Sequence, residues 1–436
     1  MELLNIINNN ARIIPTDLSI HTQYLLPYLD DLKRASEDST FSTPEASIRL
    51  PFDEEIRDEV RRLATKLQNP KLKHIVVLGI GGSNLGTQAI YEATHGRHTE
   101  FRPLRLFFGD TVSPRLLTYL TKILIEGTES PEEFVINLIS KSGTTTETIA
   151  NFEVLYERLA KKFSAEAIAS RIVATTDEGS KLRHTADENG FHHLSIPKNV
   201  GGRFSVFSAV GLLPLELVGI DTKQLLDGAR DMAELCLKTA ENPALTSAAL
   251  TYTHSKNGIN INNSFFFNPE LESCGKWYRQ LMGESIGKEK DIDGKVVRTG
   301  ITPMVSIGST DLHSMAQLYF GGPRNIFHTL IYGPNKGFDA QLPSELKLQN
   351  LVDGINGKDV KSIMNAIIGG VKAAFVKNAM PYTEINFPEI NEYYLGQYLQ
   401  LKMIEMMFLA KLMNLNAFDQ PNVEDYKDET RRLLSI

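Results

Sequence analysis

The sequence has few cysteines: only Cys236 and Cys274 occur in 436 residues. Neither belongs to a C-x-x-C pair, and no Cys/His cluster has the spacing of a metal site. The sequence therefore indicates no resident metal or other cofactor. Sparse, unpaired cysteines are typical of a reducing compartment, so we expect a cytoplasmic protein.

Dense basic clusters and long apolar runs are also missing. The 46 basic residues are outnumbered by 53 acidic residues, which gives a net charge of −7 and no case for nucleic acid as a partner. The most apolar run, residues 204–220, contains Pro214 and Glu216 and is too short for a comfortable membrane span. The first residues, with Glu2 and no basic start, are not typical of a signal peptide. We therefore expect no membrane partner, and an anionic substrate would need a local positive pocket.

What is present is a repeated alternation of strands and helices. Short β-branched runs such as H-I-V-V-L-G-I, F-V-I-N-L-I and N-I-F-H-T-L-I-Y alternate with amphipathic helical patterns, which favours parallel sheets covered on both faces. A hydrophobic fraction of 42% supports more than one core. We predict an α/β fold with two doubly wound parallel-sheet domains and a helical C-terminal arm. The predicted divisions are a helical preface and loop (1–50), a first α/β domain (51–235), a second α/β domain (236–390), and a C-terminal helix and tail (391–436).

The stretch I-S-K-S-G-T-T-T-E-T, residues 139–148, lies between a predicted strand and a predicted helix. Thr144 and Glu147 match a capping box and predict a helix start near Thr144, where unpaired backbone N–H groups attract anions. The hydroxyl and ammonium donors here are Ser140, Lys141, Ser142 and Thr145. A phosphate monoester matches this set. A capped helix with a solvated lysine is the alternative, but it does not explain the surplus of donors.

A second strand-to-helix junction, G-I-G-G-S-N-L-G, begins at Gly79. It has the spacing G-x-G-x-x-N instead of the dinucleotide pattern G-x-G-x-x-G, and Asn84 occupies the last position. A tight turn with Ser83 as the helix cap explains the glycines equally well. A nicotinamide oxidoreductase is therefore the weaker interpretation.

Four residues are candidates for chemistry. Arg203, in G-G-R-F-S, lies at the predicted start of a buried helix, where a cation is unfavourable unless an anion binds there; a surface arginine is the alternative. Glu284 follows Gly283, which we interpret as the residue that ends a helix, and is a candidate general base. His313 lies in the first turn of a predicted helix, and an ordinary exposed histidine is an equal alternative. Lys427 lies in F-D-Q-P-N-V-E-D-Y-K, where a simple tail charge is the usual interpretation.

Taken together, these motifs resemble the glucose-6-phosphate isomerase family, in its compact bacterial form. The resemblance runs from Gly79 to Lys427 and rests on G-I-G-G-S-N-L-G, S-K-S-G-T-T-T-E-T, G-G-R-F-S-V-F-S, G-E-S-I-G-K and F-D-Q-P-N-V-E-D-Y-K. It implies two sugar-isomerase domains and the interconversion of glucose 6-phosphate and fructose 6-phosphate, in glycolysis and gluconeogenesis, without cofactor or metal.

The resemblance also implies roles for particular residues. Glu284 would move the proton between C1 and C2, and Arg203 would stabilise the cis-enediolate. His313, supplied by the other subunit of a homodimer, would assist ring opening, and Lys427 would act near the ring oxygen and O1. Binding of the hexose 6-phosphate is implied for Ser83, Ser140, Lys141, Ser142, Thr145, Gly202, Gln280 and Gln420.

Two alternatives stay open on the sequence alone. A non-catalytic sugar-phosphate sensor would need only the phosphate loop, and the presence of all four candidate catalytic residues argues against it. An isomerase that also accepts mannose 6-phosphate is compatible with every motif. The charged stretch Gly287–Lys290 has no assigned function.

Overall fold

The apolar runs form two mainly parallel sheets in the computed structural model, which describes residues 3–99, 101–238, 241–334, 337, 340–348 and 351–436. Within these residues the strands are β1 (Asn5–Ile7), β2 (His74–Leu78), β3 (Arg105–Gly109), β4 (Phe134–Ile139), β5 (Ile172–Thr176), β6 (His192–Ser195), β7 (Ile261–Phe266), β8 (Lys288–Lys290), β9 (Val296–Thr299), β10 (Thr302–Ile307), β11 (Ile326–Tyr332) and β12 (Tyr382–Asn386). This mixed architecture confirms the predicted α/β class.

Helices connect and cover the strands. They are α1 (Pro15–Glu37), α2 (Glu54–Leu67), α3 (Leu85–His95), α4 (Pro114–Thr121), α5 (Thr146–Ala160), α6 (Ala165–Ala169), α7 (Lys181–Asn189), α8 (Ala209–Leu217), α9 (Thr222–Cys236), α10 (Pro243–Lys256), α11 (Glu272–Ile286), α12 (Thr310–Ser314), α13 (Ala316–Gly321), α14 (Val360–Lys377), α15 (Glu392–Leu412) and α16 (Glu424–Leu434). Among the described residues, no helix combines the length and the apolar character needed to cross a membrane.

The first sheet has the strand order β3-β2-β4-β5-β6, and every neighbouring pair is parallel. All residues of β2, β4 and β5 are buried, which explains why these strands are largely apolar and do not alternate with polar residues. Because β2 and β4 are parallel neighbours, the turn after Leu78 and the loop after Ile139 lie side by side at the carboxyl ends of the strands, which form one edge of the sheet. Ligands of open parallel sheets bind at such an edge.

The second sheet has the order β1-β12-β11-β7-β10 and is parallel except for β1, which pairs with β12 in the antiparallel direction. The strand predicted from N-I-F-H-T-L-I-Y is confirmed as β11, and the stretches I-N-I-N-N-S-F-F-F and M-V-S-I-G contain β7 and the end of β10. Helix α11 follows β7; Leu271, just before the helix, and Cys274, Tyr278 and Met282 on it are buried. This helix carries Glu284 from the second sheet toward the first.

Helix α15 confirms the predicted long apolar helix and is buried on all sides from Tyr394 to Ala410. It packs against α9, α10 and α11. Glycines allow the closest contact: a Cβ added at Gly396 would lie 2.0 Å from the carbonyl oxygen of Leu225, and one at Gly228 would lie 1.8 Å from that of Tyr393. The α9–α15 crossing therefore tolerates no side chain at either position.

We predict that Gly396→Ala destabilises the protein. The added methyl group would force α15 away from α9, and overpacking of this kind costs about 1–3 kcal/mol or more. The matched control is Gly369→Ala in α14, where an added Cβ meets no atom within 4 Å. That change should stabilise by about 0.5–1 kcal/mol, because alanine is the better helix former. Urea unfolding midpoints measure both; a midpoint for Gly396→Ala at or above that of the wild type would contradict the close crossing.

Candidate active site

The loop from Ser140 to Thr145 is held together by its own hydroxyl groups. Ser140 Oγ lies 2.8 Å from Thr145 Oγ1 and accepts a hydrogen bond from the backbone N–H of Thr145 at 3.4 Å. The predicted capping box is wrong: α5 begins at Thr146, Thr145 is the cap residue, and its side chain makes no capping bond. The turn at Gly143, with φ of +71°, delays the helix start by two residues and leaves an open loop.

Lys141 links this loop to the segment that leads to Arg203. Its Nζ donates to the carbonyl oxygens of Lys198 and, at 3.0 Å, Val200. Burial lowers the pKa of Lys141, and nearby Asp177 partly opposes this shift. A half-buried ammonium that binds only carbonyl oxygens keeps its positive charge available to an arriving anion.

Two glycine turns touch each other beside this loop. A Cβ added at Gly82 would lie 2.1 Å from the carbonyl carbon of Gly202, so only glycine allows the turns Gly81–Ser83 and Gly202–Phe204 to meet. A Cβ at Gly81 would lie 2.8 Å from Nε2 of Gln280. The turn that carries Ser83 is therefore packed between the Arg203 turn and the Gln280 face of α11.

Arg203 is only 2% exposed. Its Nε donates to Ser285 Oγ at 3.0 Å, Nη1 to Glu284 at 3.1 Å, and Nη2 to the carbonyl oxygens of Ala417 and, at 3.2 Å, Asp419. This excludes the alternative of a surface arginine. The prediction that Arg203 opens the buried helix is wrong, because Ser208 caps α8 and Arg203 lies in a separate short turn. Burial lowers the pKa of Arg203, and the Glu284 carboxylate opposes the shift, so the guanidinium stays charged.

Glu284 lies between Arg203 and Gln280. Its Oε2 accepts from Arg203 Nη1 at 3.1 Å and its Oε1 accepts from Gln280 Nε2 at 2.9 Å, while 29% of the side chain remains exposed. The predicted helix end at Gly283 is wrong: α11 continues to Ile286, so Glu284 occupies its last turn. A helix fixes the carboxylate more firmly than a loop would, and one turn separates it from Gln280 on the same face.

The remaining predicted residues lie on exposed segments. His313 is exposed on α12, and Gln420 is exposed next to the Asp419 carbonyl that binds Arg203. Lys427 lies on α16, where its Nζ donates to Glu424 at 2.7 Å. In the described part of the chain, neither His313 nor Lys427 belongs to the hydrogen-bonded group around Arg203 and Glu284. The single chain thus brings Arg203, Glu284 and Gln280 together and leaves His313 and Lys427 at its surface.

Sequence reasoning missed the groups that hold Arg203. Ser285 Oγ and the backbone carbonyls of Ala417 and Asp419 accept three of its hydrogen bonds. Ser285 follows Glu284 directly, so the motif G-E-S contained a usable signal. Backbone carbonyls have no signature in a sequence.

The geometry suits acid–base chemistry next to a loop rich in hydrogen-bond donors. An oriented, partly exposed carboxylate can take and return a proton, and a fixed guanidinium next to it stabilises negative charge that develops during reaction. The loop that follows β4 of the first sheet carries hydroxyl and ammonium donors next to this group. The fold and the site together define an α/β protein able to handle small anionic substrates.

Comparison with known proteins gives the family. The family model for phosphoglucose isomerase matches residues 52–435. The glucose-6-phosphate isomerase of Methanocaldococcus jannaschii is 34% identical over 364 residues, which cover 83% of this chain and 84% of that protein. The chain belongs to the phosphoglucose isomerase family, as its motifs indicated.

Two solved structures share the fold over the whole chain. The crystal structure of a hypothetical protein from Thermus thermophilus matches with a TM-score of 0.86, 31% identity and full coverage of both chains. A glucose-6-phosphate isomerase from Chlamydia trachomatis matches with a TM-score of 0.81 and 20% identity, covering 100% of this chain and 89% of that one. The second likeness concerns the fold alone.

We predict that Arg203→Lys destabilises the protein although it keeps the charge. One ammonium group cannot reach all four acceptors, which lie on two separate segments, and losing two or more buried hydrogen bonds costs roughly 2 kcal/mol. The control is Arg298→Lys, whose side chain is 75% exposed in its pair with Glu289 and should change stability by less than about 0.5 kcal/mol. Equal urea midpoints for the two variants would show that the Arg203 contacts contribute little.

Proposed function

We propose that this protein interconverts glucose 6-phosphate and fructose 6-phosphate by acid–base proton transfer, as an aldose–ketose isomerase. Membership of the phosphoglucose isomerase family supports the reaction. The observation that carries the proposal is the Glu284 carboxylate, which is oriented by Arg203 and Gln280 and still partly exposed. Proton transfer between adjacent carbons needs one such base and one stabiliser of the enediolate.

In the proposed reaction, Glu284 removes the proton from C2 of the open-chain aldose. The cis-enediolate forms next to the Arg203 guanidinium, whose attraction strengthens as negative charge develops on the oxygens. Glu284 then delivers the proton to C1, while the hydroxyl proton on O2 moves to O1. Since Arg203 is already fixed by Ser285 and two carbonyl groups, little reorganisation is needed when the charge appears.

The phosphate of the substrate is proposed to bind at the edge of the first sheet. Support comes from the adjacency of β2 and β4, which places the two junctions side by side. Its proposed ligands are Ser83, Ser140, Lys141, Ser142 and Thr145. Gly202 and Gln420 would line the sugar, and Gln280 would orient it while holding Glu284.

His313 and Lys427 are proposed to complete the site. The exposure of His313 on α12 supports a role in the site of a partner subunit, so we propose a homodimer. Lys427 on α16 would act near the ring oxygen and O1 of the sugar. Cys236 and Cys274 are both buried free thiols, which supports the proposed cytoplasmic location.

We predict that Glu284→Gln abolishes isomerisation and the exchange of deuterium from heavy water into C2 of glucose 6-phosphate. Glutamine keeps the shape of the side chain but cannot accept the proton. Glu157→Gln, at a side chain 59% exposed on α5, serves as the control and should leave both rates unchanged.

The same assay tests the function as a whole. Wild-type protein, in the presence of EDTA, is given glucose, mannose and arabinose 6-phosphates. Conversion of glucose 6-phosphate alone supports the proposed substrate, and comparable turnover of mannose 6-phosphate would assign the wider substrate range. Untouched glucose 6-phosphate, or undiminished exchange with Glu284→Gln, would refute the proposed reaction or its base.

We predict that Lys141→Ala weakens phosphate binding. Loss of a charge-assisted hydrogen bond to the substrate should raise the KM for fructose 6-phosphate and the inhibition constant of inorganic phosphate by roughly tenfold or more. Lys161→Ala is the control, because the structure pairs this exposed lysine with Glu157 on the surface of α5. An inhibition constant for phosphate that is equal in both variants would exclude Lys141 as a ligand.

A further inference from the structure

The charged stretch after Glu284 contains a buried lysine. Lys288 begins β8, which pairs with β9, and only 4% of its side chain is exposed. The next lysine in the strand, Lys290, is exposed. Burial lowers the pKa of Lys288, and its hydrogen bond with Asp419 opposes the shift. Since a lysine is rarely buried without a partner, the contacts of its ammonium group indicate what it does.

Lys288 and Arg203 hold the same peptide group. Lys288 Nζ donates to the carbonyl oxygen of Asp419 and, at 2.9 Å, to its carboxylate. Arg203 Nη2 donates to that same carbonyl oxygen at 3.2 Å. The carbonyl is thus a shared acceptor of two cations, and the carboxylate next to it offsets their repulsion.

The shared carbonyl has a particular place in the site. It lies one residue before Gln420, and its second donor, Arg203, is the group that binds Glu284. Lys288 also follows Glu284 by four residues, just after the end of α11. The lysine therefore connects two parts of the proposed site. Through the chain it follows the helix that carries Glu284, and through its hydrogen bonds it holds the Asp419 segment that binds Arg203.

We propose that Lys288 is a positioning residue, which fixes the Asp419 carbonyl and thereby the orientation of the Arg203 guanidinium toward Glu284. The inference rests on the proposed function and adds a residue to it. Without Lys288 the Asp419 segment would keep a single cationic donor, and its position would become less defined. Small displacements of a catalytic group slow reactions far more than they weaken substrate binding.

The test compares Lys288→Met with the matched control Lys290→Met in the full-length protein. For each variant, calorimetry counts the sites that bind glucitol 6-phosphate, a sugar phosphate without a carbonyl group. The maximal rate with fructose 6-phosphate, divided by the concentration of these sites, gives kcat per binding site. We expect Lys288→Met to lower kcat per binding site by about tenfold or more with KM changed by less than about threefold. Lys290→Met should match the wild type in both quantities.

A purely structural role gives a different result. Loss of folded protein reduces the number of binding sites but leaves kcat per site unchanged, and that result for Lys288→Met would overturn the inference. If Lys288→Met does not fold, Asp419→Ala replaces it. The Asp419 side chain is half exposed, and its carboxylate makes one of the two hydrogen bonds with Lys288. A kcat per site for Asp419→Ala lowered several-fold at constant KM supports the inference, and a wild-type value overturns it.

The proposed function fails separately. Wild-type protein that leaves fructose 6-phosphate unchanged overturns both the proposed function and this inference. Active wild-type protein, with Lys288→Met equal to it per binding site, overturns only the role of Lys288.

Discussion

The geometry of the site depends on one buried guanidinium. Arg203 binds the carboxylate of Glu284, the hydroxyl of Ser285 and two backbone carbonyls from the segment after α15. The four acceptors lie on two segments, α11 and the segment after α15, so the arginine joins both of them to the turn at residues 202–204. A buried charge is stable only when its donors are satisfied, which is why these segments are held in one arrangement.

The two sheets each contribute a different part of the proposed site. The first sheet ends in the junctions after β2 and β4, which carry hydroxyl groups and Lys141, and the second sheet supplies α11 with Glu284. Contact between Gly82 and Gly202 brings the first junction against the arginine turn. The proposed anion-binding loop and the proposed base therefore come from different sheets, and the proposed site lies where both meet.

The sequence predicted the buried strands β2 and β4 well, because both are largely apolar runs. It did not predict β12, since this strand contains Glu384, a residue type that is usually found at the surface. In the structure Glu384 is 3% exposed and is paired with Lys372 Nζ at 2.6 Å. Its partner lies on α14, so no local pattern reveals it. Strand β6, H-H-L-S, was missed because an edge strand needs little apolar character.

The site residues also divide into those with a local sequence signal and those that depend on the fold. Side chains with unusual local settings, such as Arg203 and Lys141, could be selected from their motifs. Helix boundaries were misplaced by a few residues, because Gly143 and Gly283 have different effects: one opens a loop and the other continues a helix. The shared carbonyl of Asp419 had no sequence signal at all, since every residue carries a carbonyl group and only the fold selects one.

The short strand β1 has a consequence for how the molecule forms. Asn5 pairs with Asn386, so this edge of the second sheet joins two strands that lie far apart in the sequence. The first sheet draws all its strands from residues 74–195 and can assemble while synthesis continues. Strand β1 can pair only after β12 has been synthesised. Until then the backbone N–H and C=O groups through which β1 pairs with β12 have not made that ladder, and an unpaired strand edge is a site on which a chaperone can act.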